Sequence, residues 1–315
     1  MAYADLKIDY VFRRVFGQHP DVLMGLLNDL LERTGPSEIT SLEYLPPDQV
    51  PEVEGMKWPI VDVKCREASG TTFVVEMQVL YRTGFLNRIV YNACRAFTAR
   101  LKRGEGYETL TPVVAVTVCD FELWPDAEHD ATGRARVPLV SHWRMAEKHG
   151  GAVGIPQIEY VFCELTKLGD RAPRTPGEQW AAVFRDAHRW TTAEAKRLEL
   201  SPAQMTALAL SNEATFTEDE VDAYRRAREE YEQLRVAFED VARKNRAMGH
   251  AEGHAEGLAE GLRDGELRAK RATLRALCTA LGVALTSADE ARIDACADVA
   301  ALDAWIAAVA TTRAF

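Results

Sequence analysis

Two carboxylates, Asp62 and Glu76, lie on short apolar stretches whose order can bring them together. The stretch PIVDVKCR ends at Arg66 and TTFVVEMQ begins at Thr71, with Glu67-Ala68-Ser69-Gly70 between them. Alternating apolar and polar residues interrupted by Ser-Gly predict a β-hairpin. A turn centred near Ala68–Ser69 sets Asp62 opposite or nearly opposite Glu76. Directly paired residues share a face, with Cβ atoms about 4.5–5.5 Å apart. The two-residue period of a strand adds Lys64 to the face of Asp62 and Gln78 to that of Glu76. Two acids on otherwise apolar strands repel each other and resist burial unless positive charge stands between them. A divalent metal supplies that charge and would make the hairpin a metal-dependent hydrolytic site. Facing acids on an exposed sheet surface, neutralised by Lys64 or Arg66, give the same pattern.

The elements that must position this hairpin follow from periodicity. Val11, Phe12, Val15, Phe16, Val22, Leu23, Leu26, Leu27, Leu30 and Leu31 recur at helical spacing, which predicts helix from Asp5 to about Arg33 with a break at Gly17 to Pro20. A short strand around Thr40–Leu45 precedes the hairpin, and Phe85–Arg103 reads as an amphipathic helix. Leu86, Ile89, Val90, Ala93, Cys94, Phe97 and Leu101 are expected on its sheet-facing side. The runs PVVAVTVC (Pro112–Cys119) and Ile158–Leu165 read as buried strands. The fold expected is α/β, a mixed sheet flanked by helices, followed by an all-helical C-terminal region.

Several stretches together resemble a known family: KIDYVFRRVFG (Lys7–Gly17), VDVKCR (Val61–Arg66), FVVEMQ (Phe73–Gln78), RIVYNACRAF (Arg88–Phe97), GEGYETLTPVVAVTVCDF (Gly104–Phe121) and FCELTK (Phe162–Lys167). Their order resembles the PD-(D/E)xK nuclease superfamily and, within it, the bacterial Rpn family of recombination-promoting nucleases and transposases. The resemblance covers roughly the first 170 residues well and the tail loosely. It implies a restriction-endonuclease-like core and a metal-dependent DNA endonuclease, a hydrolase that could promote recombination through cleavage. Mg²⁺, with Mn²⁺ as a substitute, suits hard carboxylate oxygens.

Under that resemblance Asp62 and Glu76 are the metal ligands and Asp9, on the first helix, completes the set. Asp9 also stands where an N-cap is favoured, ahead of an apolar periodic run. Gln78 occupies the triplet position that is usually lysine; glutamine can orient a water but brings no charge and no base near neutral pH. Lys64 could supply the missing charge, or be an ordinary strand cation. Val61, not proline, precedes Asp62, and Pro59 lies three residues before that acid. An alternative within the same fold is a catalytically weak protein that binds DNA or protein partners.

Arg88, Arg95 and Lys102 recur every seven residues, with Arg103 beside the last, and are expected to form a DNA-facing stripe on one side of the helix. The net charge of −10 argues against coating nucleic acid by bulk attraction but leaves room for a local basic surface. Six scattered cysteines lack the close pairs of a zinc site and are expected as reduced thiols. No phosphate-binding Gly-Lys-Ser/Thr loop or nucleophile elbow is present, so ATP-driven and serine chemistry find no support. With no signal-peptide-like start and no stretch near ~20 uncharged apolar residues, the protein is expected in the cytoplasm, without a membrane partner.

The expected organisation is a nuclease-like domain over residues 1–172, a helical region over 173–248, a repeat arm over 249–265 and a small helical tail over 266–315. Glu218–Met248 reads as a long charged helix with an apolar stripe including Tyr224, Tyr231, Leu234 and Phe238. In the arm, Gly249, Gly253, Gly257, Gly261 and Gly265 recur every fourth residue, mostly preceded by acids. Each glycine costs a helix about 1 kcal/mol relative to alanine. A helix here therefore calls for a packing partner, and homo-oligomerisation through the arm is expected; a flexible acidic linker is the alternative. His250 and His254 are read as solvated.

Overall fold

Val11, Phe12, Val15 and Phe16, spaced three and four apart, form the buried face of α1 (Asp9–Phe16). Gly17 caps its end, at a place that calls for glycine, because a Cβ there would stand 2.5 Å from the Arg13 carbonyl oxygen. The second helix, α2 (Pro20–Leu30), starts on a proline, whose fixed φ and missing N–H suit a first turn. The computed structural model describes residues 3–46, 61–99, 101, 104–125, 137–149, 154–195, 197–312 and 315, with the backbone alone at 192, 242, 245–256, 258 and 259.

Strands β1 (Leu42–Tyr44), β2 (Val63–Glu67) and β3 (Thr72–Gln78) follow, then α3 (Phe85–Thr98), β4 (Val113–Cys119), β5 (Val140–Ala146) and β6 (Gly154–Glu164). They make one six-stranded sheet in the order β1-β2-β3-β4-β6-β5. The β1–β2, β2–β3 and β5–β6 pairs are antiparallel, while β3–β4 and β4–β6 are parallel. The mixed sheet agrees with the expected fold. Strand β5 was not foreseen: it is an edge strand with Ser141 as its one buried residue, so it shows no apolar alternation.

Alternation along the strands sorts the core into two layers. Cys65, Phe73, Val75, Val116 and Val161 pack with α1, α2 and α4 (Pro176–Asp186), where Phe184 stacks on Phe12 and Phe16 and Trp180 meets Phe16 edge-on. Val74, Val113, Ala115 and Ile158 face the other way and meet Phe85, Ile89, Ala93 and Ala96 of α3. That helix ends at Thr98. Leu86, Val90 and Cys94, expected against the sheet, are exposed. A narrower stripe, in which Asn92 is buried beside the apolar residues, makes the contact.

Beyond Pro173 the chain keeps feeding the first layer. Trp180 and Phe184 of α4, Ala207 and Leu208 of α6 (Pro202–Leu210) and Tyr224 of α7 (Glu218–Leu281) belong to the same core as the sheet, with the short α5 (Thr192–Ala195) between α4 and α6. Packing thus continues across residues 172 and 173, and the first compact unit is Met1–Val236. The second unit, Ala237–Phe315, has its own small core of Leu267, Leu274, Cys278, Ile293, Leu302 and Val309, built by α7, α8 (Ser287–Ala295) and α9 (Val299–Thr312). The glycine repeat lies within α7 and is helical. All six cysteines are free thiols. Among the described residues no helix is long and apolar enough to cross a membrane.

Candidate functional site

The β2–β3 register pairs Val63 with Val75, which sets Asp62 at the position of Glu76, one step beyond the last pair. Asp62 Oδ2 accepts the Met77 backbone N–H at 2.7 Å, while its Oδ1 lies 3.3 Å from Arg13 Nη2. The same arginine holds Asp9 Oδ1 through Nε at 2.8 Å. Asp9 is the first residue of α1, and the cap position falls to Ile8, so Asp9 is not an N-cap. Its carboxylate instead joins Asp62 through Arg13.

Glu76 is buried on the α3 side of β3. Asn92 Nδ2 donates to Glu76 Oε1 at 2.6 Å, and Arg88 Nη2 lies 3.6 Å from Glu76 Oε2. Arg88 also donates to Gln78 Oε1, and Gln78 Nε2 donates to the Leu80 carbonyl at 3.2 Å. Both polar ends of Gln78 are therefore engaged. Arg88, expected on a DNA-facing stripe, is tied into the carboxylate site; Arg95 lies two turns further along α3, and Lys102 and Arg103 fall outside the described residues. Lys64 shares the face of Asp62 and pairs in register with Val74.

The electrostatics follow from this packing. Burial pushes the Asp62 carboxyl up to about 7; the Met77 amide and Arg13 oppose the rise, and the Asp9 and Glu76 charges add to it. Burial also raises Glu76, against the Asn92 hydrogen bond and the Arg88 charge. Each acid is held by donors that favour its ionised form, in a setting that resists ionisation. Hard oxygen donors and a shortage of positive charge fit a small divalent cation. Among the described residues no three His, Cys, Asp or Glu side chains gather into a ready ligand set. The fit thus rests on Asp62 and Glu76, with Asp9 one arginine away.

Sequence reasoning missed three participants: Arg13, Asn92 and the Lys7–Asp120 pair. Asn92 had a readable signal, because it falls on the buried stripe of α3 three residues after Ile89 and four before Ala96. Lys7 Nζ lies 3.0 Å from Asp120, whose amide donates to the Gln78 carbonyl at 3.0 Å at the end of β4. At the end of β6, Glu164 and Lys167 form a buried pair at 3.0 Å, and Glu164 also accepts the Leu123 amide at 2.6 Å. These pairs give a structural role to the lysines of the KIDYVF and FCELTK motifs. All of them gather at the carboxyl ends of β3, β4 and β6, where open α/β sheets hold their ligands.

No curated protein and no solved structure gives a significant match. The model of one family, PD-(D/E)XK nuclease family transposase, matches residues 6–238 and so takes in the whole sheet, the paired acids and the helices that position them. On that match, which spans most of the chain, the protein belongs to the PD-(D/E)XK nuclease family transposases.

Proposed function

We propose that this protein is a metal-dependent DNA endonuclease that hydrolyses phosphodiester bonds at the Asp62–Glu76 pair. The observation that carries the reading is that the β2–β3 register sets a half-buried carboxylate, Asp62, opposite a buried one, Glu76, each braced by named donors. Asp62 and Glu76 would hold Mg²⁺ or Mn²⁺, with Asp9 as the third acid. When bound, the cation offers Lewis acidity toward the scissile phosphate and a more acidic water.

The chain's own residues supply the rest. Arg13 and the Met77 amide orient Asp62; Asn92 and Arg88 orient Glu76. Gln78 is held through Arg88, and the second lone pair of its Oε1 would be left to accept from a water. Lys64 brings positive charge to the same strand face, as phosphate positioning requires. A role in recombination would act through the breaks made here. Gln78 also favours a second reading, a DNA- or protein-binding member that cleaves weakly, because the triplet's third position carries no charge. We further assign the C-terminal arm a role in homo-oligomerisation.

Plasmid nicking by the purified full chain, with Mg²⁺, Mn²⁺ or EDTA and beside Glu76→Ala, tests the reading. Metal-dependent nicking lost in the variant supports it. A folded protein that shifts DNA yet cleaves under neither metal overturns it in favour of binding alone.

A further inference from the structure

Among the described residues, the sheet face that carries Asp62 and Glu76 is only partly covered. Helix α3 packs on β3, β4 and β6, and no residue of β1 or β2 belongs to the core beneath it. On this face β2 presents Asp62, Lys64 and Arg66 in turn, opposite Glu76, Val74 and Thr72 of β3. The flank of α3 nearest β2 carries Arg88, Asn92 and Arg95. Its orientation follows from Asn92 reaching Glu76 on β3, while Cys94 on the other flank stands near Tyr160 of β6. Because Arg88 meets Gln78 and Asn92 meets Glu76, the helix descends toward Thr72, and Arg95 lies near the level of Lys64, one strand repeat short of Arg66.

Two rows of cations therefore start at the acid pair and run the same way. From Asp62 to Arg66 is about 13 Å at ~3.3 Å per residue, and Arg88 to Arg95 is about 10 Å at ~1.5 Å per residue. Either length spans about three to four phosphates of one strand at ~3.4 Å each along a duplex axis.

Arg66 is the telling member. Its Nε is enclosed and has no hydrogen-bond partner among the described residues. Its register partner on β1, Glu43, is exposed and makes no ion pair with it among those residues. Other arginines of this unit are matched to acids: Arg33 to Glu67 at 3.0 Å on the opposite face of β2, and Arg14 to Glu220 at 2.9 Å. A guanidinium left over in a chain with 48 acidic residues and a net charge of −10 points to an anion from outside.

We infer that the open face of β2 and the facing flank of α3 form a phosphate track, anchored by Arg66 and Arg95, that leads one DNA strand to Asp62 and Glu76. The inference rests on the nuclease reading for its direction, but the binding is separable from cleavage. Each anchor contacts a phosphate, so each contributes to affinity without regard to base sequence and steepens the salt dependence.

The test is fluorescence anisotropy of a labelled short duplex and a labelled single strand with the full chain in EDTA, across a KCl series. Arg66→Met and Arg95→Met should each weaken binding about 3- to 10-fold near ~0.1 M salt and flatten the log–log salt slope by about 0.7–0.9. Arg66→Lys should keep the slope, and Arg225→Ala, on an exposed part of α7, should leave both quantities at the wild-type value; thermal melts check that each variant is folded. Wild-type affinity and slope in both Met variants overturn the track, as does equal loss in Arg225→Ala or a wild-type chain that binds no DNA. Hydrolysis of bis(p-nitrophenyl) phosphate, too small to reach Arg66, reports on the nuclease reading separately. If the wild type fails to hydrolyse it, the nuclease reading falls, while the track still stands or falls on the anisotropy.

Discussion

Asp62 Oδ2 accepts the backbone N–H of Met77, the residue that follows Glu76, at 2.7 Å. One acid is thereby fastened to the main chain that carries the other, and their spacing is set by strand geometry. Removing either carboxyl should cost cleavage, not the fold. Asp62→Ala and Glu76→Ala are expected to lower metal-dependent nicking at least about 10³-fold, the scale of losing several kcal/mol of electrostatic stabilisation. Nicking rates and circular dichroism of both variants measure this, and retained cleavage in both would remove the site assignment.

The raised pKa of Asp62 makes a stability prediction with a definite sign. Its ordinary value is 3.8 and its folded value is about 7. Below the lower value both states hold the proton and nothing is lost; between the two the unfolded chain gives it up while the fold retains it. Stability therefore falls as pH rises through this window, and the loss, about 2–4 kcal/mol, is complete above pH 7. Asp62→Asn, melted in EDTA, should be more stable than wild type, by a margin larger at pH 8 than at pH 5. An equal margin at both would show that Asp62 ionises freely.

Asn92 should tune Glu76 without touching substrate. Asn92→Ala removes the 2.6 Å donor to Glu76 Oε1 and leaves a buried acid less willing to ionise. The expected result is a loss of about 1–3 kcal/mol in stability, a rising limb of the pH–rate profile moved to higher pH and a higher Mg²⁺ requirement. A pH profile unchanged from wild type would confine Asn92 to packing.

Glu164 and Lys167 form a buried pair, 0% and 3% exposed, that also gathers the Leu123 amide and the Val137 carbonyl. Breaking such a pair on one side strands a charge, so Lys167→Met should cost about 3–5 kcal/mol, and adding Glu164→Gln should recover much of it. Urea denaturation of the two variants checks the recovery; additive losses would mean that the pair is not coupled.

The helical repeat makes the arm testable. A Cβ added at Gly257, Gly261 or Gly265 meets nothing within 4 Å among the described residues. In a solitary helix each Gly→Ala change should stabilise by up to about 1 kcal/mol. If a second copy packs on these positions, Gly261→Leu should instead dissociate the oligomer in gel filtration. An unchanged elution volume would sink assembly through the glycines.

The local periodicities of this chain carried most of the fold. Four-residue apolar spacing marked α1 and α2, two-residue alternation marked β2 and β3, and the short Glu67–Gly70 turn set Asp62 against Glu76, because a tight hairpin leaves little choice of register. Long-range matters were left to the tertiary structure. Neither β5 nor the shared core of α4 and α6 shows in local pattern, because edge strands lack alternation and packing partners lie over a hundred residues apart. Arg88 looked like one more cation on a surface row, and became a site residue once α3 descended over Glu76. Arg13 pairs with Asp9 one turn away in α1, but its reach to Asp62 likewise depends on α1 docking beside the start of β2. Sequence determines which residues can ionise, alternate and turn; only the packing of helix on sheet decides which charges meet, because those meetings join elements far apart along the chain.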